Sequence, residues 1–282
     1  MPDWSSILQQ LDRSGTPTPE IGGDISAAWR LSGDGADLFI KTGPVSSTQM
    51  FLSEAEGLSE IARAGAVRVP EVIAAGSTDT ETFLALEWID FGPASAAVEA
   101  NLGAQLAELH RTNAKRYGWY RDNTLGLTPQ LNDWTENWVD FFRDQRLRFQ
   151  LRLAAENGFS DELQERGLRL IKRLPIYFDN SEVESSLLHG DLWAGNWGCS
   201  LGGPVIFDPA VYYGDRETDL AMTRLFGGFG KDFYDAYESS WPLREGHRAR
   251  LKLYQLYHVL NHLNLFGSAY LERATELIDE LL

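Results

Sequence analysis

Apolar residues recur along the chain with two different periods, and the change from one to the other falls near residue 90. Before it, Ala28-Trp29-Arg30-Leu31, Leu38-Phe39-Ile40-Lys41, Val72-Ile73-Ala74-Ala75 and Phe83-Leu84-Ala85-Leu86-Glu87-Trp88 are short runs bounded by Gly, Asp and Ser, which predicts strands. One helix interrupts them. From about Thr48 to Ala64, Phe51, Ala55, Leu58, Ile61 and Ala62 keep helical spacing, and Gly65 supplies a stop signal. After Asp90-Phe91-Gly92-Pro93 the pattern turns helical, beginning with Leu102, Leu106 and Leu109 on one face. Longer helices are expected at about 134–157, 160–178, 217–226, 246–265 and 268–281, around an island of strand and loop at 187–209. The pattern predicts an α+β chain of two lobes. Residues 1–90 form a small antiparallel sheet with one long helix, residues 91–282 form a larger, mostly helical lobe, and the cleft between them is the natural ligand site.

Composition narrows the class of ligand. With 43% apolar and 12% aromatic residues the chain fills a sizeable core, so disorder is not expected. A formal net charge of -16 argues against nucleic acid and anionic membranes, which need clustered Lys and Arg, and suits a small ligand or a basic partner. Cys199 is the only cysteine, so neither an intramolecular disulfide nor a thiolate metal site can form. Residues 1–20 lack the basic and apolar regions of a secretory signal, and no stretch approaches the roughly 18 apolar residues of a membrane span, so a cytoplasmic chain is expected.

The candidate chemistry lies in the island. His189-Gly190-Asp191-Leu192-Trp193-Ala194-Gly195-Asn196 is followed by Val205-Ile206-Phe207-Asp208-Pro209. Phosphoryl transfer to an alcohol needs a carboxylate to accept the hydroxyl proton and oxygen ligands to hold Mg²⁺ on the nucleotide phosphates. Asp191 with Asn196 five positions later reproduces the spacing of the kinase catalytic loop H-R-D-x-x-x-x-N, with Gly190 in place of Arg, and Asp208 ends an apolar run as the metal-binding Asp of D-F-G does. Asp191 is therefore the candidate base, and Asn196 and Asp208 the candidate metal ligands. Lys41, ending a strand, is the candidate phosphate anchor. Glu54 and Glu56 both lie on the helix that follows; Glu54, one turn from both Phe51 and Leu58, is favoured as its partner. Gly22 and Gly23, in a turn before a strand, can offer backbone N–H groups to phosphate. Leu86-Glu87-Trp88-Ile89 sits where adenine is read by backbone groups, with the Glu87 carbonyl and the Ile89 amide as the expected contacts.

Other residues have plainer readings. His189 is expected to hydrogen-bond the loop backbone, because Asp191 already fills the base role. Asp215, Arg216, Glu217 and Asp219 read as a charged cluster capping a helix. Trp193 reads equally as a core anchor or as a wall of the acceptor pocket.

With these residues in hand, the sequence resembles the fructosamine kinase (ketosamine 3-kinase) family, within the aminoglycoside and choline kinase-like group. The resemblance rests chiefly on Leu188 to Asn196 and on Asp208-Pro209-Ala210-Val211-Tyr212-Tyr213-Gly214-Asp215-Arg216-Glu217, with Gly22-Gly23-Asp24-Ile25, Phe39-Ile40-Lys41, Asn123, Thr128-Pro129-Gln130 and Trp138 to Phe142 in family order. It implies a protein-kinase-like two-lobe fold, ATP and Mg²⁺, and phosphorylation of the sugar 3-hydroxyl of a ketosamine such as ribuloselysine or fructoselysine, giving a product that decomposes and frees the amine. Such an acceptor is a small molecule or a glycated lysine on a protein. From the family blocks, Trp134, Trp193 and Asp215 are the expected acceptor residues. Ser26 and Ala27 depart from the Asn and polar residue that relatives often carry. The alternatives are a kinase for another small alcohol (an aminoglycoside, choline or homoserine) and a non-catalytic nucleotide-binding pseudokinase, against which the joint presence of Lys41, Asp191, Asn196 and Asp208 speaks.

Overall fold

Alternation along one strand decides where the key lysine points. In the computed structural model, which describes residues 2–20, 26–159, 161–178 and 183–282, strand β3 (Leu38–Pro44) turns Leu38 and Ile40 to one face of a sheet. They join Leu31, Phe83, Ala85 and Ile7 in a small core under helix α1 (Trp4–Leu11). Successive side chains of a strand point to opposite faces, so Lys41 emerges on the other side. The sheet is antiparallel throughout, in the order β1-β2-β3-β5-β4, with β1 Gly15–Glu20, β2 Ala27–Gly33, β4 Val72–Ser77 and β5 Glu81–Glu87. Over its second face lies α2 (Thr48–Ala64), spanning the residues its apolar spacing predicts. Gly65 ends it at φ 70°, giving its N–H to the carbonyls of Ile61 and Ala62, a conformation in which glycine carries no Cβ penalty.

The rest of the chain is mainly helical: α3 (Ala96–Leu109), α4 (Trp138–Phe141), α5 (Arg148–Glu156), α6 (Asp161–Arg173), α7 (Glu217–Leu225), α8 (Lys231–Ser240), α9 (His247–Phe266) and α10 (Leu271–Leu281). Three short antiparallel pairs are set among these helices: β6 (Asn123–Leu125) with β7 (Thr128–Gln130), β8 (Ser186–Leu188) with β11 (Tyr212–Gly214), and β9 (Trp197–Ser200) with β10 (Gly203–Ile206). Phe51, Leu58, Leu84 and Leu86 of the sheet side share one continuous core with Leu102, Leu187, Tyr212 and Tyr254. Among the described residues no helix is long and apolar enough to cross a membrane.

Several expected boundaries are corrected. The helix expected from 134 starts at Trp138, capped by Asn137, whose Oδ1 accepts from the Asp140 N–H at 3.1 Å; Trp134 is left in the preceding loop. A wide π turn, Phe142–Leu147, joins α4 to α5. The helix expected to reach 178 ends at Arg173 and tightens into a 3₁₀ turn, Leu174–Phe178, where Pro175 has no N–H to give. Helix α1, strand β1, the β6–β7 hairpin and helix α8 are additions to the sequence reading.

The β9–β10 hairpin fastens the two parts together. The Arg68 carbonyl accepts from the Ile206 N–H at 3.0 Å, and the Gly92 N–H donates to the Cys199 carbonyl at 2.8 Å, so the hairpin holds the chain both before β4 and after β5.

Candidate active site

Two facing loops and one strand end build the site. Lys41 Nζ lies 2.8 Å from Glu54 Oε1 and 2.7 Å from Asp208 Oδ1, although Asp208 is 167 positions away in sequence. Glu56, two positions further along α2 and so on the opposite side of the helix, bonds instead to Tyr120 and Arg121. Lys41 is 8% exposed, so burial pulls its ammonium down, but the carboxylates of Asp208 and Glu54 more than reverse this and hold it protonated. Two carboxylates share that one ammonium; burial and the neighbouring Asp208 push Glu54 upward against the pull of Lys41.

Asp208 has φ 57°, in the left-handed region that a non-glycine residue rarely occupies. That turn brings its carboxylate back to Lys41 and leaves the side chain 42% exposed. Gly190 is equally constrained: φ is 83°, and a Cβ there would lie 2.0 Å from the Ala210 carbonyl oxygen. The catalytic-loop candidate and the metal-loop candidate therefore pack backbone to backbone, and the Ala210 N–H donates to the His189 carbonyl at 2.8 Å.

Asn196 donates through Nδ2 to the Asp191 carbonyl at 2.9 Å and to Asp191 Oδ2 at 3.3 Å. Burial, then the charges of Asp208 and Asp219, raise the Asp191 carboxyl from 3.8 to about 7, partly offset by the Asn196 bond. His189 staples the two loops. Its Nε2 lies 2.9 Å from the Phe207 carbonyl and its Nδ1 is 3.3 Å from the Asp191 N–H. A carbonyl can only accept, which assigns the proton to Nε2 and makes Nδ1 the acceptor. Burial lowers the His189 pKa, in keeping with that neutral ring.

Asp219, read from the sequence as part of a helix-capping cluster, instead supports the 189–190 loop from beneath. It is 1% exposed in the first turn of α7 and faces inward under the loop. Its Oδ2 accepts from the His189 N–H at 2.8 Å and lies 3.1 Å from His110 Nε2, while Oδ1 accepts from the Gly190 N–H at 2.8 Å. Burial pushes its carboxyl up, but His110, His189 and the Gly190 amide outweigh that and hold it below the ordinary value. The apolar flank Leu220-Ala221-Met222, which continues the family segment after Glu217, signals that the helix start is interior.

The remaining candidates scatter. Gly22 and Gly23 lie outside the described residues. Glu87 pairs with Arg68, accepts from the Glu71 N–H at 3.3 Å through Oε2 and donates its own N–H to the Glu71 carbonyl at 2.9 Å; Ile89 is half-buried. Trp193 is 40% exposed and lies over Gly195, where a Cβ would be 2.3 Å from the indole. It is therefore not a core anchor. Trp134 is half-buried, with Tyr213 at 6.2 Å and the Arg116 guanidinium at 5.4 Å from its ring. Asp215, expected at the acceptor, is 1% exposed and accepts from Arg244, from the Tyr254 hydroxyl at 2.6 Å and from the Glu217 N–H at 3.1 Å.

Comparisons with known proteins give the family and the fold. The family model "Fructosamine kinase" matches residues 6–282. A protein-ribulosamine 3-kinase of Arabidopsis thaliana, chloroplastic, is 40% identical, the match covering 93% of this chain and 81% of the plant protein. A crystal structure of a fructosamine-3-kinase-type protein from Thermobifida fusca superposes with a TM-score of 0.88 at 31% identity, over 98% of this chain and 97% of that one. At 14% identity, the ternary complex of aminoglycoside phosphotransferase APH(4)-Ia with ADP and hygromycin B shares the fold, with a TM-score of 0.69 over 98% and 95% of the two chains. Matched almost end to end by one family, this chain belongs to the fructosamine kinases and is an ATP-dependent phosphotransferase acting on ketosamines.

Proposed function

We propose that the cleft between residues 1–90 and 91–282 binds Mg·ATP and transfers its terminal phosphoryl group to the sugar 3-hydroxyl of a ketosamine, a glycated lysine carried free or on a protein. The observation that carries this reading is the convergence of Lys41, Glu54 and Asp208 within 2.8 Å contacts, beside an Asp191–Asn196 pair. Lys41 is the phosphate anchor, set by Glu54. Adenine lies against Glu87 and Ile89, and Gly22 and Gly23 are assigned to the phosphates from the sequence.

The residues fit a divalent cation. Asn196 has its Nδ2 committed to Asp191, which leaves its carbonyl Oδ1 for a hard ion, and Asp208 has one oxygen on Lys41 and a second to offer. Among the described residues no group of three His, Cys, Asp or Glu forms a closed metal cage, and Mg²⁺ characteristically binds through one or two carboxylates, completing its shell with phosphate oxygens and water. Bound there, Mg²⁺ would neutralise charge on the phosphates. Asp191 orients the acceptor hydroxyl and takes its proton, a task suited to a carboxylate held near neutrality. Most of the acceleration comes from positioning and fixed charge, since no covalent intermediate with the protein is needed.

Trp193 and Trp134 form walls of the acceptor site, and any part that Asp215 takes passes through Arg244, which covers it. The chain's net charge of -16 draws in an acceptor bearing a protonated amine. The test is the position of the phosphate: ribuloselysine treated with the enzyme, ATP and Mg²⁺ should carry it on O3 by NMR. Phosphate on another hydroxyl, or hydrolysis of ATP without a phosphorylated sugar, would overturn the assignment.

A further inference from the structure

Helix α2 carries Glu54 to Lys41, so whatever fixes the helix fixes the phosphate anchor. Its stripe Gln49, Glu56 and Glu60 faces the helical part of the molecule, and each of these side chains is bonded there. Arg121 donates one Nη to Glu56 Oε2 at 2.6 Å and the other to Gln49 Oε1, and the Tyr120 hydroxyl donates to Glu56. The Tyr213 hydroxyl donates to Glu60 Oε1 at 2.6 Å. Between these two attachments, Gly57 lets the helix rest on the loop after Asp208. A Cβ there would stand 3.0 Å from Val211 Cγ2 and 3.3 Å from Pro209 Cγ.

Both attachment points are themselves rigid. Tyr213 exchanges backbone bonds with Gly118 at 2.8 and 2.9 Å, and the Arg121 carbonyl accepts from Asn132 Nδ2 at 3.2 Å. The Glu60 side chain is 12% exposed and the Arg121 side chain 23%, while Glu56 is 39% exposed, so the Tyr213 tie is the better sheltered of the two. Kinases that control this helix do so by letting it move and then ordering it by phosphorylation or a partner. Here the helix is tied at one turn to Tyr213, five positions after Asp208, and at another to Arg121, in the segment just before β6.

We propose that Arg121 and Tyr213 are positioning residues that clamp α2, so that Glu54 stays on Lys41 and the anchor is assembled permanently, without any phosphorylation or partner. Neither touches the nucleotide; each acts through α2. The inference rests on the reading of Lys41 as the phosphate anchor.

The test compares Arg121→Gln, Tyr213→Phe, the double variant and the charge exchange Glu56→Arg with Arg121→Glu, using ribuloselysine as acceptor. Steady-state kinetics are read with ATP varied, and the rate at which acetic anhydride acetylates Lys41 is read by peptide mass spectrometry. The double variant should lose about tenfold in kcat/KM for ATP, at little change in KM for the acceptor. Lys41 should be acetylated faster, and the charge exchange should restore most of the loss. Unchanged ATP kinetics, a loss without faster acetylation, or an equal rise in both KM values would overturn the clamp. If the double variant does not fold, Tyr213→Phe, which removes only a hydroxyl, decides in the same assays. Lys41→Met separates the two ideas: an active Lys41→Met enzyme removes the anchor reading itself, whereas an inactive one beside an unaffected double variant removes only the clamp.

Discussion

Asp191 is held where its charge is costly, in a buried loop beside two other carboxylates, a cost characteristic of functional sites. Its folded value, about 7, lies above the unfolded 3.8, so the protein is favoured by the protonated form and loses stability as pH rises through that window. Asp191→Asn should therefore abolish phosphoryl transfer and, without Mg²⁺ or nucleotide, stabilise the fold by about 1–3 kcal/mol at pH 8 and hardly at all near pH 4. Thermal melts at the two pH values check this, and a variant less stable at pH 8 would contradict it. At this scale the sequence was most legible. Lys41, Glu54, Asp191, Asn196 and Asp208 could be picked out because their chemistry constrains spacing and order, and the choice of Glu54 over Glu56 followed from its place between Phe51 and Leu58. The burial of Asp215 was not legible, because a charged residue in a polar cluster looks exposed; that Arg244 and Tyr254 close over it is information from residues about 30 to 40 positions away.

Among the elements, α7 and the 189–191 loop form one unit, since a single carboxylate at the helix start receives two consecutive loop amides. Asp219→Asn puts a donor where three donors converge. It should cost about 2–4 kcal/mol in urea unfolding and lower kcat far more than it changes KM for ATP. Full kcat in a folded variant would show that the loop holds its shape unaided. Elements were legible where an apolar stripe and a stop signal coincide, as in α2 with Gly65. They were hidden where packing, not pattern, makes them. Strand β1 reads Gly-Thr-Pro-Thr-Pro-Glu and has no apolar alternation; it lies at the sheet edge, where prolines are tolerated and discourage further pairing. The π turn at Phe142–Leu147 and the 3₁₀ turn at Leu174–Phe178 interrupt stretches whose apolar spacing alone runs on.

Across the whole molecule, a buried polar network ties the π turn to the site. Arg146 is 0% exposed, its guanidinium lying 4.1 Å from the centre of the Tyr212 ring and 4.6 Å from that of Phe141. It donates to the Leu131 carbonyl and, at 2.8 Å, to Asn132 Oδ1; Asn132 and Gln130 both donate to Asn123, and Gln130 donates to the Ala210 carbonyl at 3.0 Å. Among the described residues no carboxylate pairs with this arginine, so the rings and carbonyls alone offset its charge. Arg146→Met fills the volume but leaves the Leu131 carbonyl and Asn132 Oδ1 unbonded, and should destabilise by about 2–4 kcal/mol with an unchanged urea m-value. A variant as stable as the parent would mean that the network is dispensable. The two-part architecture was legible because the apolar period changes once, near residue 90; the continuous core across that point was not, because period says nothing about which faces meet.

The central claim is that this cleft phosphorylates ketosamines. Its most direct test is Mg²⁺- and ATP-dependent ADP release, with mass detection of product, on ribuloselysine, fructoselysine, a simple aminoglycoside and choline side by side. A gain of one phosphoryl group on a ketosamine, and on neither of the other two acceptors, is the predicted result. Phosphorylation of the aminoglycoside or choline with both ketosamines untouched would contradict it.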